Sequence, residues 1–323
     1  AAFLSGASAL SLQLAWVRRL SVSLGHEWPA MLTVTTAYFA GLTLGSWCLA
    51  GWIRRSGRPW LWLAGLQSGC AAWGVASVPV LAWVGDASLG WLGADPSLMQ
   101  FATGSLKAGA MVVLPGALML GATFAALERS WLATGGTTAG AGTRHVGAVY
   151  GLNALGAMAG AALGLAWMQP TMGLDGTIRA SAIASLASGI MGWWAGFRGE
   201  TPAAAAEGAP AASTSRRPGG VGFAVLWLFL GGLLGMGLQV LAIRLTRPVL
   251  GGTVYSYATV LAAWLGGTAL GATSWLRGWL GTGRGSGRQR LRPSWRPCDR
   301  AGWRRSTAGG MGQAIKVGRS EEH

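Results

Sequence analysis

Residues 221–243 read VGFAVLWLFLGGLLGMGLQVLAI, a run with no charge and with Gln239 as its one amide side chain. A hydrocarbon core of ~30 Å is crossed by about 20 apolar residues in an α-helix. No water is available there, so the backbone must satisfy its own hydrogen bonds, and such a run is helical. Comparable runs occupy roughly Ala2–Leu24, Trp28–Ile53, Pro59–Val84, Phe101–Leu127, Val146–Met168 and Thr177–Phe197, and again Thr253–Trp275. Nothing alternates with the period of two that a barrel strand needs. The expectation is an all-α integral membrane protein with about eight transmembrane helices.

Composition agrees. Of 323 residues, 51% are hydrophobic and 11% charged, and mean hydropathy is +0.41. Soluble domains carry roughly 25% charged residues, so a wetted surface is undersupplied. The 54 Gly and 19 Trp fit close helix packing and interfacial anchoring. Apolar content excludes a largely disordered chain. Cys48, Cys70 and Cys298 are too few and too scattered for a disulfide framework or a metal site. The chain opens on Ala1 inside an apolar run, which reads as the edge of a fragment.

The net charge of +15 is unevenly placed. From Arg284 onward nine Arg and Lys316 face Asp299, Glu321 and Glu322, a net of +7, which leaves +8 on the body. Short loops between the expected spans hold Arg54, Arg55 and Arg58, then Arg129 and Arg144, then Arg198, Arg216 and Arg217. Alternate loops hold Asp86 and Asp95, or Asp175 with Arg179. The positive-inside rule then puts the N-terminus and the 199–220 linker in the cytoplasm, in an inner (plasma) membrane. That linker, GETPAAAAEGAPAASTSRRPGG, cannot build a core and reads as a flexible connection. Arg18, Arg19, Arg244 and Arg247 sit on the other side and call for a reason of their own.

An offset of 226 residues aligns the first two spans with the last two without a gap. Gly6/Gly232, Leu12/Leu238, Gln13/Gln239, Arg18/Arg244, Leu24/Leu250 and Gly25/Gly251 match. Thr33/Thr259, Val34/Val260, Ala37/Ala263, Gly41/Gly267, Leu44/Leu270 and Gly45/Gly271 match as well. Shared hydrophobicity can produce some of these, but not the Gln and Arg at fixed spacing. The offset equals six spans plus the linker, and parallel six-helix repeats are the organisation of the major facilitator architecture. On that reading residues 1–198 are a first six-helix unit, 221–279 are the first two helices of a second, and 280–323 are a basic tail. The loop Gly51-Trp-Ile-Arg54-Arg55-Ser-Gly57-Arg58 resembles the facilitator signature G-x-x-x-D-R-x-G-R, with Arg54 in place of Asp. A plain positive-inside turn accounts for it equally.

Three stretches carry a closer resemblance. They are Ser11–Arg18 with Ala37–Ser46, then Leu114-Pro115-Gly-Ala-Leu-Met119-Leu-Gly121-Ala-Thr123-Phe124, then Gly147–Gly160 running on to Gln169-Pro170-Thr-Met-Gly173. Together they resemble the membrane region of fused major-facilitator/spermidine synthase-like proteins, over most of Ala1–Trp275. The departure is Ala125, where the pattern has Pro. The resemblance implies a transporter-like membrane module. In the family a soluble aminopropyltransferase-like domain follows the membrane part, and the sequence holds nothing of that kind. Gly140-Ala-Gly142 and Gly283-Arg-Gly285 neither follow a strand nor open a helix as a nucleotide cradle requires. His26, His145 and His323 assemble no triad or metal set. No enzyme, cofactor or metal is expected on this chain.

Polar side chains inside spans cost roughly 2.5–3.5 kcal/mol when ionisable and so are candidate function. Gln13 and Arg18 recur as Gln239 and Arg244, and are candidates to line a central cavity; snorkelling and interhelical hydrogen bonding are the structural alternative. Lys107 is either a cavity cation or an interface residue. Asn153 either binds an amide of a substrate or packs on a neighbouring backbone. Gly41, Gly45, Gly156, Gly160, Gly164, Gly267 and Gly271 stand in steps of four, as helix-packing faces do. After Trp279 the pattern gives way to GTGRGSGRQRLRPSWRPCDRAGWRRSTAGG, readable as a basic arm or as out-of-frame translation. The second reading makes the high pI no argument for a nucleic-acid partner, and none is expected. The expected partners are the lipid bilayer and a small polar or cationic solute. Two other readings stay open, a non-transporting anchor for an aminopropyltransferase-like domain and a nonfunctional fragment.

Overall fold

The computed structural model describes residues 1–93, 95–134, 141–198 and 220–283, excluding the side chains at 89, 131–134, 141–146, 220, 221, 253 and 273–283. The linker expectation at 199–219 and the tail expectation from 284 onward fall on residues outside these, whereas residues 280–283 continue the last helix. The chain divides into Ala1–Arg277 and Gly278–His323, and of the second unit only the helical residues to Gly283 are described.

Among the described residues the chain forms helices at the expected positions: α1 (Ala2–Ser23), α2 (Glu27–Arg55), α3 (Pro59–Leu92), α4 (Leu98–Thr134), α5 (Ala141–Leu163), α6 (Gln169–Arg198), α7 (Gly220–Leu250) and α8 (Thr253–Gly283). No strand occurs among the described residues. Several helices run longer than their apolar cores, because polar residues flanking a span extend it into the interface. Among the described residues five stretches are long and apolar enough to cross a membrane: 27–55, 59–92, 98–130, 147–198 and 222–250. The fourth holds α5 and α6 together, and α1 and α8 are not among the five. Ser5, Ser8, Ser11, Gln13, Arg18 and Arg19 lower the hydropathy of α1.

The turns follow local chemistry. The His26 side chain caps α2 by accepting from the Trp28 N–H at 3.4 Å. Glu27 in the first turn and Arg54 and Arg55 in the last complement the helix dipole. Gly25 ends the α1 turn at φ +71°, and its repeat mate Gly251 ends the α7 turn at φ +72°. Both adopt the left-handed conformation that side chains resist, so the offset of 226 reappears as one backbone geometry used twice.

No ordinary loop separates α5 from α6. A π-helical segment, Gly164–Met168, joins them, and the chain turns at Gly173, φ +73°. The expected loop near 169–176 is therefore one left-handed glycine beside a widened turn.

Close contacts give each helix its direction. On α5, Gly156 faces the Phe3 carbonyl, Gly160 the Ala7 carbonyl and Gly164 the Ser11 side chain, so α5 runs parallel to α1. On α6, Ser181, Ser185 and Ser188 meet Ser11, Ser8 and Ala1, so α6 runs antiparallel to α1. Gly41 and Gly45 of α2 face Ala117 and Leu118 of α4 in parallel. Gly189, Gly192 and Gly196 of α6 face Gln67, Leu63 and Trp60 of α3 in antiparallel order. Directions alternate along the chain. Ala1, the α2–α3 turn and Arg198 thus share one end, and Arg18, Arg19, His26, Asp175 and Gly251 share the other.

Helix α1 is the hub. Every residue from Ser8 to Val17 is buried, with Leu14, Ala15, Val17 and Leu20 fully so. Their apolar partners include Met31 and Val34 of α2, Val112 of α4, Ile178 of α6, and Tyr257 and Leu261 of α8. Helix α7 is the opposite case. Only 11% of its most apolar window is buried, and Phe223, Trp227, Phe229, Leu234 and Leu241 are exposed around it. A helix that is apolar all round and open is suited to lipid, not to water.

Candidate functional site

Gln13 and Arg18 lie where α1 meets α2, α6 and α8. Gln13 is 2% exposed, and its Nε2 donates to the Tyr257 hydroxyl at 2.7 Å. Thr35 Oγ1 donates to the same oxygen at 3.3 Å. Tyr257 is itself buried, so the three side chains form one polar node inside apolar packing. One turn and a half further along α1, Arg18 donates from Nη1 to Gln169 Oε1 at 3.0 Å. Its guanidinium lies 5.5 Å from the ring centroid of Tyr255. Arg244, the repeat mate of Arg18, lies 5.2 Å from the ring of Trp28.

These contacts join the two stretches that the 226-residue offset aligns. Arg18 of α1 meets α8, and Arg244 of α7 meets α2. Under the offset Tyr255 corresponds to Pro29, one residue from Trp28. Each arginine therefore rests on an aromatic at nearly the same place in the other copy. A cation over an aromatic face is held by the ring quadrupole, with more strength where water is excluded.

The remaining sequence candidates fall as follows. Gln239 is buried on α7, one turn before the buried Ile243, so its side faces inward as Gln13 does. Arg244 is exposed and Arg18 half-buried. Lys107 is exposed on α4. Asn153 is half-buried, and its backbone carbonyl is what a side chain at Gly6 would strike. Neither is brought to the Gln13 node by any described contact.

Sequence reasoning missed Gln169, Tyr255 and Tyr257. The first sits at an expected loop and the others have no mate of their own kind in the repeat. It also missed a seam of hydroxyls. Ser11 and Ser181, and likewise Ser8 and Ser185, are 2.9 Å apart, and Ser188 donates to the Ala1 carbonyl at 3.0 Å. Gln67 of α3, fully buried, donates from Nε2 to Ser5 Oγ. Trp16 Nε1 donates to Ser77 Oγ at 3.0 Å. The signal was present as Ser5-x-x-Ser8-x-x-Ser11 on α1 and Ser181-x-x-x-Ser185-x-x-Ser188 on α6, each one helical face.

The packing glycines divide sharply by copy. Side chains at Gly41, Gly45, Gly156 and Gly160 would collide with Ala117, Leu118, Phe3 and Ala7, most of them at backbone carbonyls. Gly164 packs on Ser11. A Cβ at Gly267 or Gly271 meets no described atom within 4 Å. The clearest surface groove, about 340 Å³ at the α2–α3 turn, is lined by Ser56, Arg58, Leu61, Trp62, Gly65 and Leu66. None of the candidate residues lines it. No group of three or more His, Cys, Asp or Glu able to hold a metal occurs among the described residues.

The chain matches no protein-family model, no curated protein and no solved structure.

Proposed function

We propose that this chain is the transporter-like membrane region of a protein built on two parallel six-helix repeats in the major facilitator manner. Helices α1–α6 form the first repeat, and α7 and α8 open the second. The N-terminus and linker face the cytoplasm. The transported species is a small polar solute, and the resemblance to spermidine synthase fusions makes a polyamine-related cation the first to test.

The crosswise stacking of Arg18 on Tyr255 and Arg244 on Trp28 carries this reading. Two copies related by an axis along the membrane normal place equivalent helices face to face, and a solute path between them is lined by repeated polar groups. The paired left-handed glycines, Gly25 and Gly251, add to it.

The test is uptake into proteoliposomes. Labelled spermidine, citrulline and succinate are offered to the full chain, with a Gln13→Cys/Tyr257→Cys pair oxidised to tie α1 to α8. Uptake above empty vesicles that oxidation stops supports transport. If none crosses faster than in empty vesicles and the chain instead retains an aminopropyltransferase-like domain at the membrane, the anchor reading takes its place.

A further inference from the structure

We propose that Arg18 and Gln169 form a binding site for an oxyanion, a carboxylate or phosphate, at the junction of α1, α6 and α8. This deepens the transporter reading and rests on it for calling the oxyanion part of a solute.

The inference starts from the Gln169 amide. Arg18 is a donor only, so the amide must turn its Oε1 toward the guanidinium, at 3.0 Å. That fixes Nε2 on the far side. Gln169 is 6% exposed, and Nε2 is a buried donor with no acceptor in the structure. A buried donor left unpaired costs about as much as a lost hydrogen bond, so its persistence calls for an absent acceptor.

The second observation is charge. Arg18 is half-buried, and among the described residues its partners are the Gln169 carbonyl oxygen and the Tyr255 ring. An intramembrane cation of this kind ordinarily pairs with an acid or faces a functional path. The guanidinium has five N–H donors and spends one on Gln169, so several remain for a bidentate oxyanion. Arg19 adds positive charge at the same end, and the nearest acids in sequence are Glu27 and Asp175.

The backbone points the same way. Gln169 follows directly on the π-helical segment Gly164–Met168 and precedes the left-handed Gly173. A π-bulge is uncommon and concentrates at functional sites. Irregular backbone at membrane depth is tolerated where it is buried or lines a cavity. Tyr255 of α8 flanks Arg18, its ring centroid 5.5 Å from the guanidinium.

Arg18 and the Gln169 amide N–H offer donors and so suit an anion; the buried acceptor at this end, Asp175 Oδ1, has no partner of its own and lies six residues further along α6. The chemistry at this site therefore selects a carboxylate or phosphate group, whatever charge the rest of the solute carries.

The experiment follows the unfolding midpoint of the full chain in maltoside micelles, which carry no phosphate, at fixed ionic strength. The probes are sodium acetate, sodium phosphate, spermidine hydrochloride and added phosphatidylglycerol. Acetate or phosphate is expected to raise the midpoint by several degrees and spermidine to leave it unmoved. Arg18→Lys keeps the charge but loses the fork, and weakens the response at least tenfold in concentration. Gln169→Glu supplies Arg18 with a built-in carboxylate; it raises the midpoint without ligand and abolishes the response. A purely structural Gln169 would give no such exchange. A rise with phosphatidylglycerol alone, lost in Gln169→Glu, supports the site with a lipid phosphate as occupant. No rise with any oxyanion, a rise that survives Gln169→Glu, or a rise with spermidine alone overturns it. The two readings fail separately. Oxyanion stabilisation without uptake in vesicles overturns transport and keeps the site, and spermidine uptake indifferent to Gln169→Glu does the reverse.

Discussion

Gln13 of α1 and Tyr257 of α8, 244 residues apart in the chain, are joined by a hydrogen bond of 2.7 Å inside apolar packing. This bond ties α1 to α8, beside the contact of Arg18 with the Tyr255 ring. Interhelical hydrogen bonds in membranes average about 0.6 kcal/mol and reach ~1.7. Thr35 shares the same acceptor, so Tyr257→Phe should cost about 1–2 kcal/mol. Gln13→Leu combined with Tyr257→Phe should cost less than the sum of the two. Equilibrium unfolding in mixed micelles with a double-mutant cycle measures it, and strict additivity would deny the coupling.

Repeat-equivalent glycines should respond unequally. Gly45→Val drives a side chain into the Leu118 carbonyl of α4 and should leave little folded protein. Gly267→Ala meets no described atom and should gain about 0.5–1 kcal/mol of helix stability. Size-exclusion profiles and unfolding midpoints separate the two. Equal damage at both would mean that α8 is covered at Gly267.

The serine seam predicts an asymmetry between single and paired changes. Ser185→Ala deprives Ser8 of its partner in a buried site and should cost about 1 kcal/mol. Ser8 also donates to the Ser5 carbonyl at 3.0 Å, so the orphaned group keeps one bond and the cost stays moderate. Ser8→Ala with Ser185→Ala should be nearly neutral, because both polar groups go together. A fully additive pair would show that these hydroxyls do not depend on each other.

Left-handed turns give a third comparison between copies. Gly25→Ala and Gly251→Ala each place a Cβ at φ near +71° and should each destabilise by about 1–2 kcal/mol. No atom lies within 4 Å of either Cβ, so the cost is backbone strain alone and should be equal at the two sites. Thermal unfolding of the two single variants compares them directly.

Much of this architecture could be read along the chain. Uncharged runs such as Val221–Ile243 identify helices because lipid leaves the backbone no other partner, and helices occupy the expected apolar runs, five described stretches of them long and apolar enough to cross a membrane. The offset of 226 was legible because Gln, Arg and Gly are uncommon coincidences at fixed spacing in an apolar chain. Gln13 and Arg18 were singled out for the same reason. Gln169 was not, since Gln-Pro at a helix start reads as a loop, and the tolerance of a π-turn there depends on packing against α1.

Sequence alone therefore determined that the chain is helical and where its apolar helices lie, which follows from hydropathy and local chemistry summed over short windows. Tertiary structure alone decided partnerships. It placed Arg18 on Gln169 and Tyr255, set two serine faces against each other, and left Gly232 and Gly267 open while filling Gly6 and Gly41. The reason is physical: a window of sequence fixes which groups need a partner, whereas the identity of that partner depends on which helix, far along the chain, approaches that face.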